Sequence, residues 1–324
     1  MSKVLAKVTP GMSRLDWLKL RQKGIGGSDA AAIFGMSRWK SPIDIWLSKT
    51  TEISQEDEQS EAAYWGTVLE DVVAKEFEKR TGLKVRRKNA VLQHDEYEFM
   101  IADIDREIVG QIYINGEGEK IKAGLECKTA SEYKKDEWKD DEIPMEYLIQ
   151  CQHYMAVTGY DAWVIAVLIG GNKFFYKVIE RDDEFIEMLI KTEQDFWNNH
   201  VLANVMPPVD GSDASANVLK AMYPEAEKGT EIQLSANEND LLFERAGILK
   251  MMDAYEKRIQ EIENEIKATM GENENAVGLN FAVKWSNSSR TTVDSKRLKA
   301  EKPEIYEQYA KVSNSRTFKV KEIG

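Results

Sequence analysis

The sequence is short of cysteine, histidine and long apolar runs, and each shortage excludes a class of protein. Two cysteines in 324 residues, Cys127 and Cys151, cannot build a disulfide framework, a cysteine-based zinc site or an iron–sulfur cluster. A reducing, cytoplasmic compartment is the expectation. Three scattered histidines (His94, His153 and His200) read as structural or surface residues. No apolar run approaches the roughly 20 residues that cross a bilayer. The longest, Ala162 to Ile169, reads as a buried strand. The first residues, Met1 to Gly11, lack the apolar core of a signal peptide. The balance of 44 Lys and Arg against 56 Asp and Glu gives a formal net charge of −12. Such a chain does not coat nucleic acid over its whole surface. It remains compatible with chemistry that gathers carboxylates at one centre and cations along one track.

What is present fits an ordinary globular protein: 42% hydrophobic and 31% charged residues. The length suggests two domains, or one large domain with an appendage. Helical patterns run over Ser13–Lys23, Asp29–Phe34, Ile43–Ser48, Tyr64–Arg80, Pro144–Thr158 and Asp182–Trp197. Ser28 is placed as the N-cap of the second, and Pro42 at the first turn of the third. The acidic stretch Glu52–Glu61 reads as a mobile loop. Strand patterns cover Asn89–Gln93, Phe99–Ile104, Ile108–Ile114, Ala123–Lys128, Ala162–Ile169 and Lys173–Ile179, the last two joined as a hairpin through Gly170-Gly171-Asn172. This order predicts an α/β core with a mixed sheet flanked by helices.

A composition shift at Met206–Ser215 marks a boundary. The expected division is a domain over 1–209, a linker over 210–234 and an accessory α+β module over 235–324. In that module Ser235 to Glu238 forms a capping box and opens a long helix closed by Gly271. Leu241, Ile248, Tyr255 and Ile262 repeat every seven residues, with Met252, Ile259 and Ile266 on the alternate seam and Arg245 interrupting it. A strand (Asn280–Trp285), helical turns (Val293–Lys311) and a last strand (Arg316–Lys321) are expected after it.

The chemistry concentrates in Ile101-Ala-Asp-Ile-Asp105 and Leu125-Glu126-Cys-Lys128. Glu126 and Lys128 stand two apart on a strand, so their side chains leave on one face. An Asp from a neighbouring strand would complete a hard oxygen site suited to Mg²⁺, with the Cys127 carbonyl as a further ligand. A lysine beside such a metal orients or helps deprotonate the attacking water. Glu-x-Lys occurs four times, starting at Glu126, Glu132, Glu137 and Glu265, but only the first ends an apolar strand after an Asp-bearing one. Asp103 and Asp105 fall on the same strand face by alternation, so spacing leaves both open.

Ordered motifs then carry a resemblance. Arg21-x-x-Gly-Ile-Gly-Gly-Ser28-Asp29-Ala30, Trp65-Gly-Thr-Val-Leu-Glu70, Ala102-x-x-Asp105-Arg106, Gly124-Leu-Glu126-Cys-Lys128-Thr129 and Gln150-Cys-Gln152-His-Tyr-Met155-x-x-Thr-Gly159 occur in that order. Together they resemble the YqaJ-like viral recombinase family, whose members are phage alkaline exonucleases similar to lambda exonuclease within the PD-(D/E)xK nuclease superfamily. Ile104 stands where the superfamily name expects Pro. The resemblance implies a restriction-endonuclease-like core and an Mg²⁺-dependent exonuclease, with Mn²⁺ a possible substitute, in a phage or prophage protein of a bacterial host. It would degrade linear double-stranded DNA from the 5′ end and leave 3′ overhangs for an annealing protein of the RecT or beta type. A trimeric ring is implied as the assembly. An endonuclease using the same site and a catalytically idle DNA-binding adaptor are the alternatives.

By residue, the resemblance makes Asp105 and Glu126 the metal ligands, Lys128 the catalytic lysine, and Glu70 a reach toward a second metal or its water. It assigns Gln152 to support the lysine and the nucleophile, with Gln150 the less favoured choice, and it prefers Asp105 over Asp103. Arg21 and Ser28 would hold a DNA phosphate, notably the 5′-phosphate. Arg38-Trp39-Lys40, Lys84 to Lys88, and Lys134-Lys135 are candidate DNA contacts. The C-terminal pattern Thr291-x-x-Asp294 to Tyr306, with Ser315-Arg316-x-Phe318, resembles tails found on some family members, with no catalytic constellation in it.

Overall fold

A computed structural model describes residues 2–9, 11–53, 60–110, 112–113, 120–139, 142–311 and 316–323. The chain divides into two compact units, Met1–Tyr223 and Pro224–Gly324.

The first unit opens with a strand that the sequence patterns did not suggest, β1 (Lys3–Lys7), and continues through α1 (Arg14–Arg21), α2 (Gly27–Ile33), α3 (Pro42–Thr50) and α4 (Glu61–Thr81). Residues 54–59 of the acidic stretch lie outside the described residues, and Ser60 caps α4 through the Ala63 N–H. Then come β2 (Val85–Arg86), β3 (Ala90–Gln93), β4 (Ile101–Asp103), β5 (Arg106–Ile108), β6 (Ile112–Tyr113), β7 (Lys120–Ile121) and β8 (Ala123–Ala130). The expected strand Ile108–Ile114 is thus replaced by β5 and the short β6; residues 111 and 114 lie outside the described residues. A 3₁₀ turn over Glu132–Trp138 leads to α5 (Met145–Thr158), the hairpin β9 (Ala162–Ile169) and β10 (Lys173–Glu180), then α6 (Asp183–Phe196) and α7 (Asp213–Met222).

Besides the short pair β6–β7, two larger sheets organise the described residues of this unit. The larger has the order β10-β9-β8-β5-β2, and the smaller β1-β3-β4. Within the larger sheet β8 and β9 are parallel over eight paired positions, and the other neighbours are antiparallel. It is therefore a five-stranded mixed sheet in a mixed α/β fold. A parallel pair needs a crossover, and α5 supplies it. Gly159, with φ 70°, ends α5 in the left-handed conformation and turns the chain back into β9.

Side-chain alternation sorts the two faces of the sheet. Leu125, Cys127, Val164 and Ala166 pack on Val73, Ala74 and Phe77 of α4. On the other face Trp163, Ile165 and Val167 pack with Ile149, Met155 and Ala156 of α5. Glycine is required where α2 meets α5: a methyl group on Gly27 would come within 2.7 Å of the Tyr154 ring.

α7 corrects the expected linker over 210–234. Ser215 and Val218 are buried, and Ser212 caps the helix, so the first unit extends to Tyr223. The second unit contains α8 (Ala236–Met270), the hairpin β11 (Asn275–Val277) and β12 (Ala282–Lys284), and the short helices α9 (Ser295–Glu301) and α10 (Pro303–Tyr309). The expected strand Arg316–Lys321 is irregular, and Ser315 lies outside the described residues. Among the described residues no helix is long and apolar enough to cross a membrane.

Candidate active site

Asp105 lies between two strands that belong to different sheets. β4 ends at Asp103 in the small sheet, and β5 starts at Arg106 in the large one. The single-strand alternation expected for Asp103 and Asp105 therefore does not apply. The Asp103 carboxylate accepts a hydrogen bond from the Trp17 indole at 3.0 Å. The Asp105 carboxylate instead accepts the Cys127 N–H at 2.8 Å. That N–H is available because β5 pairs with β8 only at Gly124 and Leu125, which leaves the next stretch of that edge of β8 without a strand partner. The structure thus separates the two candidates and brings Asp105, not Asp103, to the Glu126–Lys128 strand.

Glu126 is 2% exposed. Its Oε1 receives the Lys128 ammonium at 2.6 Å and the Gln150 amide at 2.8 Å. Its Oε2 is buried and has no hydrogen-bond partner among the described residues. A buried carboxylate oxygen without a donor is costly unless something cationic fills the place. Burial raises the proton affinity of Glu126, partly offset by Lys128. Withdrawal from bulk water raises that of Asp105 well above the ordinary range, and the charges of Glu126 and then Glu70 add to it. For Lys128, burial favours the neutral amine, but Glu126 and Asp105 outweigh it and hold the group as an ammonium. The Cys127 thiol is pushed far up by burial and by both carboxylates, so its backbone carbonyl rather than a thiolate is its usable ligand.

Glu70 comes from α4 and is ion-paired to Arg106, whose other nitrogen pairs with Asp71. Arg106 is buried and also donates to the Asp105 carbonyl at 2.6 Å. Glu70 is therefore held beside the cluster by a cation of the chain itself. Among the described residues no group of three His, Cys, Asp or Glu side chains makes a ready metal cage. Asp105 and Glu126 are the carboxylates left for a cation. That set fits Mg²⁺, which commonly takes one or two protein carboxylates and keeps several waters. The unpartnered Oε2 and the two proton-hungry carboxylates are what a divalent ion would relieve.

Gln152 corrects a sequence expectation. Its amide donates to the Glu180 carbonyl at 2.8 Å and accepts the Asp182 N–H at 3.1 Å, so it ties α5 to the β10–α6 junction. Gln150 takes the place at the site, bridging Glu126 and the Tyr154 hydroxyl, each at 2.8 Å. Tyr154 and Arg106 complete the cluster and were not singled out for it. Arg106 stands beside Asp105 in the sequence, but the burial that makes it demand the Glu70-Asp71 carboxylates is seen only in the structure.

The proposed DNA contacts fall into two groups. Arg21 pairs with Asp29 at 2.9 Å and reaches Ser28 at 3.1 Å, while Lys49 takes the other Asp29 oxygen at 2.8 Å. Burial alone would raise the Asp29 carboxyl, but Arg21 and Lys49 hold it far below the usual range. Ser28 is not the N-cap; Gly26 is, with Asp29 closing the capping box onto the Gly26 N–H. Arg21 and Lys40 line one cavity of about 650 Å³ together with Arg14, Trp17 and Lys49. Arg38 is spent on Glu137, through two bonds of 3.0 and 2.9 Å, and on Glu146. Trp39 is 70% exposed, with the Lys134 ammonium 4.9 Å above its ring.

The fold and the cluster thus define a mixed α/β protein with two carboxylates and an ammonium gathered where one sheet hands over to the other. The YqaJ-like viral recombinase domain matches residues 16–161. Over 325 aligned residues the chain is 45% identical to the uncharacterized protein YqaJ of Bacillus subtilis (strain 168), covering 100% of this chain and 98% of that one. The chain belongs to the YqaJ-like viral recombinase family. Among solved structures it is similar to LHK-Exo in complex with dAMP, at 18% identity and a TM-score of 0.47, covering 64% of this chain and 96% of that one. It is also similar to the alkaline exonuclease LHK-Exo from Laribacter hongkongensis (19%, TM-score 0.45, 59% and 93% covered). A phage related exonuclease from Haemophilus somnus 129PT gives 15% identity and a TM-score of 0.38, with 58% and 99% covered.

Proposed function

We propose that the protein is an Mg²⁺-dependent exonuclease with a PD-(D/E)xK-type site. It hydrolyses linear double-stranded DNA from the 5′ end and leaves 3′ overhangs for a RecT- or beta-type annealing protein. Mn²⁺ serves as a substitute metal, and the working assembly is a trimeric ring. The observation that carries the reading is the unpartnered, buried Oε2 of Glu126 beside Asp105 and Lys128. Membership of a viral recombinase family supports a DNA substrate.

In this reading Asp105 and Glu126 hold the metal, which when bound neutralises charge on the scissile phosphodiester and lowers the pKa of its water. Gln150 and Lys128 occupy Glu126 Oε1 and so leave Oε2 for the cation. Lys128, kept protonated by its neighbours, donates to the attacking water or to a phosphate oxygen and does not accept a proton. Arg106 holds Glu70 in place at the edge of the cluster. Arg21 supplies the fixed positive charge for the terminal phosphate, with Lys49 at its back to balance Asp29.

The test uses end-labelled linear duplexes and covalently closed circles, with Mg²⁺ or with EDTA. Mononucleotide release from 5′ ends in Mg²⁺ alone, with closed circles untouched, is the expected result. Cutting of closed circles would move the reading to an endonuclease, and no cutting of either substrate to an idle adaptor.

A further inference from the structure

His153 and Glu193 form a hydrogen-bonded pair, 0% exposed, that the proposed chemistry does not use. His153 stands on α5 between Gln150 and the end of that helix; Glu193 stands on α6. The imidazole Nδ1 lies 2.8 Å from Glu193 Oε1, and Nε2 lies 2.9 Å from the Ile101 carbonyl. A carbonyl only accepts, so Nε2 carries a proton. The Nδ1–Oε1 contact needs one more. Two protons satisfy both ring contacts, either as imidazolium and carboxylate or as neutral imidazole and carboxylic acid, while Glu193 Oε2 stays buried with no hydrogen-bond partner among the described residues. Both forms have no net charge, as burial demands.

The place of these bonds gives the pair a role. β4 is the edge of its sheet; the Ile25 backbone takes the Ile101 N–H there, but among the described residues no strand meets the outward carbonyls of Ile101 and Asp103. Consecutive residues of α5 take them. His153 takes Ile101, and the Tyr154 hydroxyl donates to Asp103 at 3.3 Å. Two residues beyond Asp103 is Asp105. The same Tyr154 oxygen accepts from Gln150, which also donates to Glu126. One face of α5 thus braces the two carboxylates, which come from different sheets. His153 is the buried end of that brace, and Glu193 is the group that its other ring nitrogen meets. From neighbouring elements the pair is faced by Asp29 of α2, already balanced by Arg21 and Lys49, and by His94 after β3.

We propose that His153 and Glu193 are positioning residues for the nucleolytic site: by accepting from Nδ1–H of an imidazolium, or donating to Nδ1 of a neutral ring, Glu193 keeps His153 Nε2 protonated, which ties α5 to the edge of β4 and so sets Asp105 relative to Glu126. This rests on the proposed nuclease function. Glutamine and leucine at 193 separate placement of the proton from mere packing. In Glu193→Gln the amide donates to Nδ1, which keeps the Nε2–H tautomer and the bond to Ile101. In Glu193→Leu the tautomer is unfixed, and in His153→Phe the bond is gone.

The experiment measures kcat and KM on a linear duplex with Mg²⁺, and duplex binding in EDTA, for folded protein checked by circular dichroism. Glu193→Leu and His153→Phe are expected to lose about ten- to a hundredfold in kcat, the scale of a misplaced reacting group, with KM and metal-free binding within about threefold. Glu193→Gln is expected to stay within about threefold of the wild type in both. In the wild type, ¹⁵N spectra of the histidine side chains are expected to show His153 Nε2 protonated. Wild-type kcat in Glu193→Leu overturns the pair's role, as does a loss in Glu193→Gln as deep as in Glu193→Leu. An unprotonated Nε2 overturns it without any catalytic measurement. A wild-type protein that cuts no DNA in any metal overturns the proposed function itself, and is recognised by failure of every variant alike.

Discussion

α5 and α8 are both helices whose apolar residues recur with helical spacing, yet their surroundings are opposite. Eleven of the 14 residues of α5 are buried, whereas of the 35 residues of α8 only Met270 is. The difference shows in what each helix does with its polar groups. α5 aims them inward, where Gln150, Gln152, His153 and Tyr154 each find a named partner. α8 spends them on itself, through the Ser235–Glu238 capping box and the spaced ion pairs Asp253–Lys257 and Glu263–Lys267. Such pairs are worth only about 0.3–0.5 kcal/mol each, so a helix this exposed leans on its length and caps. Periodicity tells which face is apolar; it does not tell whether anything covers it. The seam Leu241, Ile248, Met252, Tyr255, Ile259, Ile262 and Ile266 remains between 39% and 69% exposed.

The comparison breaks most sharply at the site that α5 braces. Glu126→Gln or Asp105→Asn should reduce cleavage by more than about a thousandfold, because an amide is a poor ligand for a hard cation. Mg²⁺ should raise the melting temperature of the wild type and leave that of either variant unmoved, a measurement that needs no DNA. Asp103→Asn, by contrast, should keep its response to Mg²⁺.

Next in size is a core test. Met155→Lys places a charge at a position with 0% exposure and should unfold the first unit, at a cost of several kcal/mol. Ile259→Lys on α8, at 56% exposure, should change stability by less than about 0.5 kcal/mol. Equal denaturant midpoints for the two would mean that the seam of α8 is covered in solution.

The two glutamines of α5 divide the same way. Gln150→Ala should lower kcat about tenfold or more, since it removes a donor from both Glu126 Oε1, which keeps only Lys128, and the Tyr154 hydroxyl oxygen. Gln152→Ala should leave kcat near the wild-type value and cost about 1–2 kcal/mol of stability, because it orphans a backbone carbonyl and an N–H at the β10–α6 junction. The reverse pattern would restore Gln152 to the site.

The smallest effect is on pH dependence. Asp105 and Glu126 have folded values raised above their ordinary ones, so protonation favours the folded state. Their contribution is fully present below the ordinary carboxyl range near pH 4, and is lost as pH rises through the raised values. Glu107 runs the other way: held at about 2 against burial by Lys88, Tyr160 and Arg86, it contributes above its ordinary value and loses that contribution as pH falls toward 2. In EDTA, raising the pH from 5 to 8 should therefore cost the wild type more stability than Asp105→Asn, and Mg²⁺ should cancel the difference. Parallel melting curves for the two proteins across that range would contradict the raised values.

Much of this molecule was legible in one dimension. Glu126 and Lys128 share a face because strand side chains alternate, and the capping box of α8, the heptad seam and the β9–β10 turn all depend on residues within a few positions of each other. The helix α7 was read as linker because the Pro-, Gly- and Ser-bearing stretch Met206–Ser215 runs into its first turn and masks the apolar positions that follow, of which Val218 is buried. Ser28 was read as a cap because serine after glycine fits that role, while the cap geometry belongs to Gly26 and Asp29.

Other choices belong to the tertiary structure alone. Gln150 and Gln152 lie about 200° apart around α5, so they face opposite sides. No polarity pattern selects between them, because both sides of this helix are buried. Asp103 and Asp105 look equivalent on a strand, and they part only because the chain leaves one sheet and enters another between them. Arg106 takes Glu70 and Asp71 from some 35 residues away, and Glu193 meets His153 across 40. Spacing along a chain reports angle around one element. Which charges meet across elements is set by how the sheets and helices pack, and that packing is a property of the whole fold.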